Sequence, residues 1–342
     1  SNTYSGQTSV TGGTLRIANT EALGSGSSFS LDNGTLSFAV SSSGDASDAL
    51  VLGSNGGVFD VDAGQSLAFS GVISGVGALT KTGAGELSLT GANTYTGSTA
   101  ITNGAVVVSG SLSDATAVSV SEGTTYEIGA DDTVGSIAGS GAIKLGSSTL
   151  SVGGDNSSTE FSGVVSGTGG LAKQGTGTLT LSGANTYTGS TAINNGALVV
   201  SGSLSDGTAV NVGDSGLYEV GADDTVGSIA GGGAINLGSS TLSVGGDNSS
   251  TEFSGVVSGA GGIAKQGTGT LTLSGSNSYS GPTSVTQGSL RVANSEALGS
   301  SSLFSLDNGV LSFAVSPSGD TSGSLVLGSN GGVLDLDADQ SL

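Results

Sequence analysis

Two pairs of adjacent aspartates are the first candidates for catalytic residues in this sequence. Asp131 stands beside Asp132 in the segment GADDTVGS, and Asp223 stands beside Asp224 in a second copy of that segment. Two carboxyl groups catalyse sugar hydrolysis when they face one substrate and unlike surroundings push their pKa values apart. Neighbouring residues in an exposed turn do not meet that requirement, so we predict no catalytic residue.

The same turns are candidates for calcium binding. Six carboxylates recur in matching positions of two copies: Asp131, Asp132, Asp155, Asp223, Asp224 and Asp247. Calcium takes about six to eight oxygen ligands from a closed loop, and the motif G-G-x-G-x-D does not occur in tandem. We therefore interpret these residues as solvated turn acids and predict no cofactor, with calcium as an open alternative.

Composition excludes most other chemistry. The chain of 342 residues has no His and no Cys, and Arg16 and Arg291 are its only arginines. It therefore lacks an imidazole base, a thiolate ligand and a basic cleft for acidic polysaccharide, which leaves a polysaccharide-degrading enzyme as a remote alternative. The net charge of −21 opposes nucleic-acid binding. No apolar run reaches the ~18 residues of a membrane helix, so this segment is not predicted to insert.

These residues lie in a sequence that repeats itself. Residues 93–184 align without a gap on residues 185–276, and residues 1–67 align on residues 276–342. Internal repeats of this kind indicate stacked supersecondary units. We predict one continuous solenoid over residues 1–342 with the repeat order A–B–B–A: unit A at 1–91, unit B at 92–183, a second unit B at 184–275, and a shortened unit A at 276–342.

Short strands separated by small turns must position the polar residues. Segments such as TLTLSG and GALVVSGS cluster apolar residues, and Gly, Asn, Asp and Ser separate them at steps of roughly eight residues. A unit then holds about eleven strands, too many for an immunoglobulin-like sandwich of about seven. Only 4% of the residues are aromatic, which favours a thin core. The predicted fold is all-β: a right-handed parallel β-helix (β-solenoid) of about 20–24 residues per coil.

A longer motif, G-x-[LI]-x-K-x-G-x-G-x-L-x-L-x-G-x-N-x-Y-x-G, occurs at Gly77–Gly97, Gly169–Gly189 and Gly261–Gly281. Each Lys stands two residues after an apolar residue and therefore lies on the same face of its strand. We expect the aliphatic part of the lysine side chain to pack there and the ammonium group to reach solvent. The tyrosines are too far apart for a sugar-stacking platform, so we expect them to pack as well. The apolar, Lys and Tyr positions are Leu79, Lys81, Leu87, Leu89 and Tyr95 in the first copy, Leu171, Lys173, Leu179, Leu181 and Tyr187 in the second, and Ile263, Lys265, Leu271, Leu273 and Tyr279 in the third.

This motif resembles the autotransporter-associated β-strand repeat, also called the passenger-associated transport repeat, of bacterial surface proteins. The first unit keeps only the tail of the motif, around Tyr4 to Leu15. The resemblance implies a passenger-type parallel β-helix that is exported across the outer membrane to the bacterial cell surface or beyond.

The sequence therefore predicts a non-enzymatic, extracellular repeat region that acts as a stalk, a spacer or an adhesin passenger. Self-association, end to end or side by side, would let such a region form fibres or a surface layer. The alternative is an adhesive module that binds calcium, or a host or surface glycan or protein. Calcium-dependent melting would separate this alternative from a pure spacer.

Overall fold

The computed structural model describes residues 4–19, 22, 28–41, 48–300, 303–315, 324–338 and 340. It contains two compact units, Ser1–Gly170 and Leu171–Leu342. Every regular element among the described residues is a β-strand. This confirms the all-β prediction.

The described residues of the first unit form twenty short strands. In chain order they are β1 (Thr8–Val10), β2 (Thr14–Ile17), β3 (Phe29–Leu31), β4 (Gly34–Phe38), β5 (Leu50–Leu52), β6 (Gly57–Val61), β7 (Ser66–Phe69), β8 (Ile73–Gly75), β9 (Leu79–Thr82), β10 (Glu86–Leu89), β11 (Thr99–Ile101), β12 (Ala105–Val108), β13 (Ala117–Val120), β14 (Thr125–Ile128), β15 (Asp132–Val134), β16 (Ser136–Gly139), β17 (Ala142–Lys144), β18 (Leu150–Val152), β19 (Thr159–Phe161) and β20 (Val164–Ser166).

The strands of this unit pair in parallel with strands one coil away. One row runs β1–β3–β5–β8, and a second runs β2–β4–β6–β9–β11–β13–β16–β19. A third runs β7–β10–β12–β14–β17–β20, and β15 pairs with β18. Parallel rows in which each strand pairs with the strand one coil away define a β-solenoid, as predicted from the sequence.

In the second unit, the part of the chain that the structure describes forms eighteen strands. They are β21 (Leu171–Lys173), β22 (Thr178–Leu181), β23 (Thr191–Val200), β24 (Ala209–Val220), β25 (Asp224–Val226), β26 (Ser228–Gly231), β27 (Ala234–Asn236), β28 (Leu242–Val244), β29 (Thr251–Phe253), β30 (Val256–Ser258), β31 (Ile263–Lys265), β32 (Thr270–Leu273), β33 (Thr283–Val285), β34 (Ser289–Val292), β35 (Leu303–Leu306), β36 (Gly309–Phe313), β37 (Ser324–Leu327) and β38 (Gly332–Leu336).

Parallel pairing also builds the second unit. β23 and β24 are long enough to pass a corner, and their register shifts between Ile193 and Asn195. One row therefore runs β21–β23–β24–β26–β29–β32–β34–β36–β38, and another runs β22–β23–β24–β27–β30. A third row is β25–β28–β31–β33–β35–β37.

Coil length varies, and the shortest coils fall below the predicted range. Leu50 pairs with Ile73, a step of 23 residues, whereas Thr125 pairs with Ala142, a step of only 17. The short coil arises because Gly135 alone separates β15 from β16, which makes a corner of one residue. Right-handed winding stays a prediction.

Alternate side chains of each strand form the core. Leu87 and Leu89 of β10 are buried completely. Leu87 stacks in register between Leu67 of the coil before and Val106 of the coil after. Successive strand residues point to opposite faces, so each coil covers the apolar column of its neighbours. Burial of one such side chain stabilises the fold by about 1.5–3 kcal/mol.

Glycine is needed at the tight corners of the coils. Gly83 follows β9 with a φ of 71°, a left-handed conformation that other residues adopt at a cost. A Cβ atom at Gly83 would also collide with the carbonyl oxygen of Val61 in the preceding coil. The corner therefore brings main-chain carbonyls close together, and the motif lysine lies at this corner.

Candidate functional site

The motif lysines occupy core positions. Lys81 of β9 pairs with Phe59 before it and with Ile101 after it, and its side chain is 0% exposed. The prediction that its ammonium group reaches solvent is wrong. It is wrong because the corner carbonyls, which belong to two successive coils, surround the end of the side chain.

The ammonium group of Lys81 is held by main-chain oxygens. Its Nζ donates hydrogen bonds to the carbonyls of Thr82 at 2.6 Å, Gly83 at 2.7 Å and Asn103 at 3.2 Å. Burial disfavours the charged form and lowers the pKa of Lys81 to about 8, although the negative charge of Asp60 partly opposes this shift. The lysine therefore serves the coil's own backbone.

The other two motif lysines repeat this arrangement. Lys173 donates to the carbonyls of Gln174, Gly175 and Asn195 at 2.5, 3.0 and 3.3 Å. Lys265 donates to the equivalent carbonyls, between 2.5 and 3.4 Å. Both side chains are only 1% exposed, and burial lowers the pKa of Lys265. Main-chain oxygens of this kind are supplied by any residue type, and the residue that follows the lysine is Thr82 in the first copy and Gln174 in the second.

The motif asparagine joins three successive coils, a role that the sequence analysis missed. Asn93 accepts a hydrogen bond from the backbone N–H of Ile73 at 3.0 Å, and its Nδ2 donates to the carbonyls of Gly91 and Ser111, each at 2.9 Å. Asn277 makes the same type of bridge, from the N–H of Val257 to the carbonyl of Ala297. The available signal was the fixed Asn two residues before each motif Tyr.

The motif tyrosines are buried with a threonine partner. The hydroxyl of Tyr95 forms a 2.5 Å hydrogen bond with Thr99 Oγ1, and its carbonyl accepts from Thr116 Oγ1 of the next coil. Tyr187 and Tyr279 form the same hydroxyl pair with Thr191 and Thr283. Burial raises the pKa of Tyr279 to about 12. None of these three rings is available at the surface for stacking on a sugar, because all three tyrosines are 0% exposed.

The motif leucines and the isoleucine fill the core columns. Each is at most 1% exposed: Leu79, Leu87, Leu89, Leu171, Leu179, Leu181, Ile263, Leu271 and Leu273. The motif Lys, Asn and Tyr and the Thr that pairs with the Tyr are buried beside them. We call the Lys, Asn, Tyr and Thr of each copy the buried polar set.

Two of the acids are not the exposed turn residues that the sequence predicted. Asp132 and Asp224 are each 7% exposed and begin β15 and β25. The carboxylate of Asp132 accepts a hydrogen bond from the backbone N–H of Leu112 in the preceding coil, at 3.1 Å. Burial raises the pKa of Asp132 to about 6, against the opposing hydrogen bonds from Leu112 and Thr133.

The other acids also bind the chain itself. Asp131 and Asp223 each accept a backbone N–H at 2.7 Å, from Thr149 and Thr241. Asp155 accepts from Ser136 Oγ and from the N–H of Ser157, each at 2.8 Å. Asp247 does the same with Ser228 and Ser249. These carboxylates fix turns and join neighbouring coils.

The acids of the first unit border a shallow depression. Asp114, Asp131 and Asp132 line it with Thr133, Thr149 and Ser151, and its volume is about 430 Å³. Within the ranges that the structure describes, no three acidic side chains are placed so that they could jointly hold a metal ion. The same ranges contain no helix with the length and apolar character to cross a membrane.

In each unit the fold and the buried polar set define a parallel β-solenoid whose repeated polar residues bind the scaffold itself. Comparison with known proteins supports the resemblance of the motif. The passenger-associated-transport-repeat family matches residues 1–17, 79–108, 171–200 and 263–292, which cover the three motif copies except for the first two residues of each, and the partial copy. These segments, which make up less than half of the chain, are therefore similar to passenger-associated transport repeats.

One curated relative is the Adhesin BmaC autotransporter of Brucella suis biovar 1 (strain 1330). It is 42% identical over 113 residues, which is 32% of this chain and 3% of the adhesin. The chain therefore spans a very small part of that relative. No solved structure matches.

Proposed function

We propose that this segment is a surface-exposed, non-enzymatic spacer within a bacterial autotransporter passenger, and that it holds an adhesive region away from the cell. The observation that carries the proposal is the buried polar set. The motif lysines, asparagines and tyrosines bond to the coil's own backbone and threonines, so the repeated polar residues serve the coils rather than a ligand. The 42% identical relative is named an adhesin, which supports placement in an adhesive passenger.

Protease treatment of intact cells tests the location. In the bacterium that makes the protein, externally added proteinase should remove the segment from intact cells, while a periplasmic marker survives. Protection of the segment until the outer membrane is opened would contradict surface exposure.

Binding by the purified chain tests the spacer role. A spacer gives no saturable binding to host cells or to a glycan panel, with or without added calcium, and its melting midpoint does not move with calcium. Saturable binding, or a calcium-dependent rise in the midpoint, would replace the spacer with the adhesive module. Sedimentation velocity over a range of concentrations tests the predicted self-association in the same sample.

Deletion of one repeat tests whether the second B unit contributes anything other than length to the spacer. Removal of residues 184–275 joins the first B unit to the final A unit in register, so the shortened chain should fold and still reach the surface. Removal of residues 194–275 leaves ten more residues before the junction, so the sequence after the junction is out of step with the repeat before it, the core columns are misaligned, and this control should misfold. Loss of folding in the in-register deletion would show that the second B unit has a role beyond length.

A further inference from the structure

We propose that the coils containing Asp132 and Asp224 are acid-strengthened latches: each of these carboxyl groups takes up a proton in mildly acidic solution, and the coil then opens less readily. The two aspartates occupy the same position in the two B repeats, and each lies in a different unit of the structure. The device is therefore present twice.

The carboxylate of Asp132 is buried without a cation. It is 7% exposed, and the backbone N–H of Leu112 donates to both of its oxygens, at 3.1 and 3.3 Å. The N–H of Thr133 is a further donor. Burying a charged group is costly unless it is paired with an opposite charge. Here the neighbouring charge that acts on Asp132 comes from another acid, Asp114.

The surroundings of Asp132 add negative and neutral groups. Asp114 and Asp131 line the same depression as Asp132, and the hydroxyl-bearing rings of Tyr95 and Tyr126 pack within its electrostatic reach. The Tyr126 hydroxyl is buried with no hydrogen-bond partner. A proton on Asp132 removes its repulsion with the negative charge of Asp114, which favours the protonated folded state.

Asp224 repeats the pattern in the second unit. It is also 7% exposed, and its Oδ2 accepts a hydrogen bond from the N–H of Leu204 at 3.1 Å. Asp206 is the like charge near it, and Tyr187 and Tyr218 are the phenols affected by its charge. The buried aspartate, its backbone N–H donor and the nearby acid all occur in both B repeats. This recurrence indicates that the arrangement is a structural feature of the B repeat.

The sign of the effect is opposite to ordinary acid denaturation. Both aspartates have a folded-state pKa of about 6, above the unfolded value of about 3.9, so the folded state binds more protons between these values. The resulting stabilisation is fully present below about pH 4 and is lost as the pH rises through about 6. Between pH 7.5 and 4.5 we expect the opening constant of each coil to fall about tenfold, after a discount for partial contact with solvent.

Hydrogen exchange on the whole chain tests the latch. Protection factors, corrected for the intrinsic pH dependence of exchange, are compared at pH 4.5 and 7.5 for peptides that contain the Leu112 and Leu204 amides. The wild type should gain about tenfold protection at the lower pH. The double variant Asp132→Asn and Asp224→Asn should not gain protection.

The control variant is Asp131→Asn with Asp223→Asn, which removes the same net charge from the exposed neighbours. It should keep the wild-type gain in protection, because the latch carboxyls are intact. If the control loses the gain, or the latch variant keeps it, general charge repulsion is the cause and the proposal fails. Should the latch variant not fold, carbon-13 NMR of labelled aspartate in the wild type decides: the Asp132 carboxyl should titrate near pH 6, and titration near pH 4 would overturn the latch.

Discussion

Replacing Lys81 by Met removes the ammonium group and keeps most of the stem that packs between Phe59 and Ile101. The carbonyls of Thr82, Gly83 and Asn103 then lose their shared donor. Hydrogen bonds to a charged group contribute about 1.5–3 kcal/mol each, so the gross loss is about 5 kcal/mol or more.

Part of that loss is offset because the variant no longer buries a charge. Burial lowers the pKa of Lys81 from 10.5 to about 8, which corresponds to a penalty of up to about 3 kcal/mol at neutral pH. We therefore expect a net destabilisation of about 2 kcal/mol for Lys81→Met at pH 7.

Urea unfolding followed by circular dichroism near 218 nm measures this difference, with hydrogen exchange at β9 to confirm that the loss is local. The matched control is Lys144→Met in β17, where the lysine is exposed and the change should be within about 0.5 kcal/mol. Equal stability of Lys81→Met and wild type, or an equal loss in both variants, would refute the reasoning that the carbonyls depend on the buried ammonium group.

The same lysine predicts a pH dependence. The folded-state pKa of Lys81 lies below the unfolded value, so the unfolded chain binds more protons between about pH 8 and 10.5, and stability should rise with pH across that window. Lys81→Met should lack the part of this rise that Lys81 contributes. A fall in stability between pH 8 and 9.5 that is the same in the wild type and the variant would contradict the assigned shift.

Three further substitutions test the remaining contacts. Asn93→Leu leaves one buried N–H and two carbonyls without their partner, and we expect a loss of about 2–4 kcal/mol in urea unfolding; a neutral result would remove Asn93 from the scaffold. Tyr95→Phe deletes the hydroxyl that bonds Thr99 and should cost about 1 kcal/mol by the same assay, with Tyr4→Phe at an exposed position as its silent control. Arg16→Ala breaks an exposed ion pair with Asp62, and the unfolding midpoint should not move measurably, because exposed pairs contribute little; a clear shift would show that this pair does more than its exposure suggests.

The repeat sequence determined the architecture. Apolar residues alternate with a period of two, so Leu87 and Leu89 point to the same face of the strand regardless of which strands pair with it. The two B units align without a gap, so the same coils must occur twice. The absence of His, Cys and a basic cluster from the composition is likewise independent of the fold. These properties depend on residues that are close in the chain, so the sequence alone was sufficient.

Only the tertiary structure decided which polar side chains are buried. Lys81 and an exposed lysine such as Lys144 both lie on β-strands, and Asp131 and Asp132 are neighbours in the chain, yet their exposures differ. The difference comes from groups about 20 residues away: the Asn103 carbonyl lies against Lys81, and the Leu112 N–H lies against Asp132. Coil stacking brings these groups together, and a low-dielectric corner then fixes the hydrogen bonds and pKa values that local sequence does not specify.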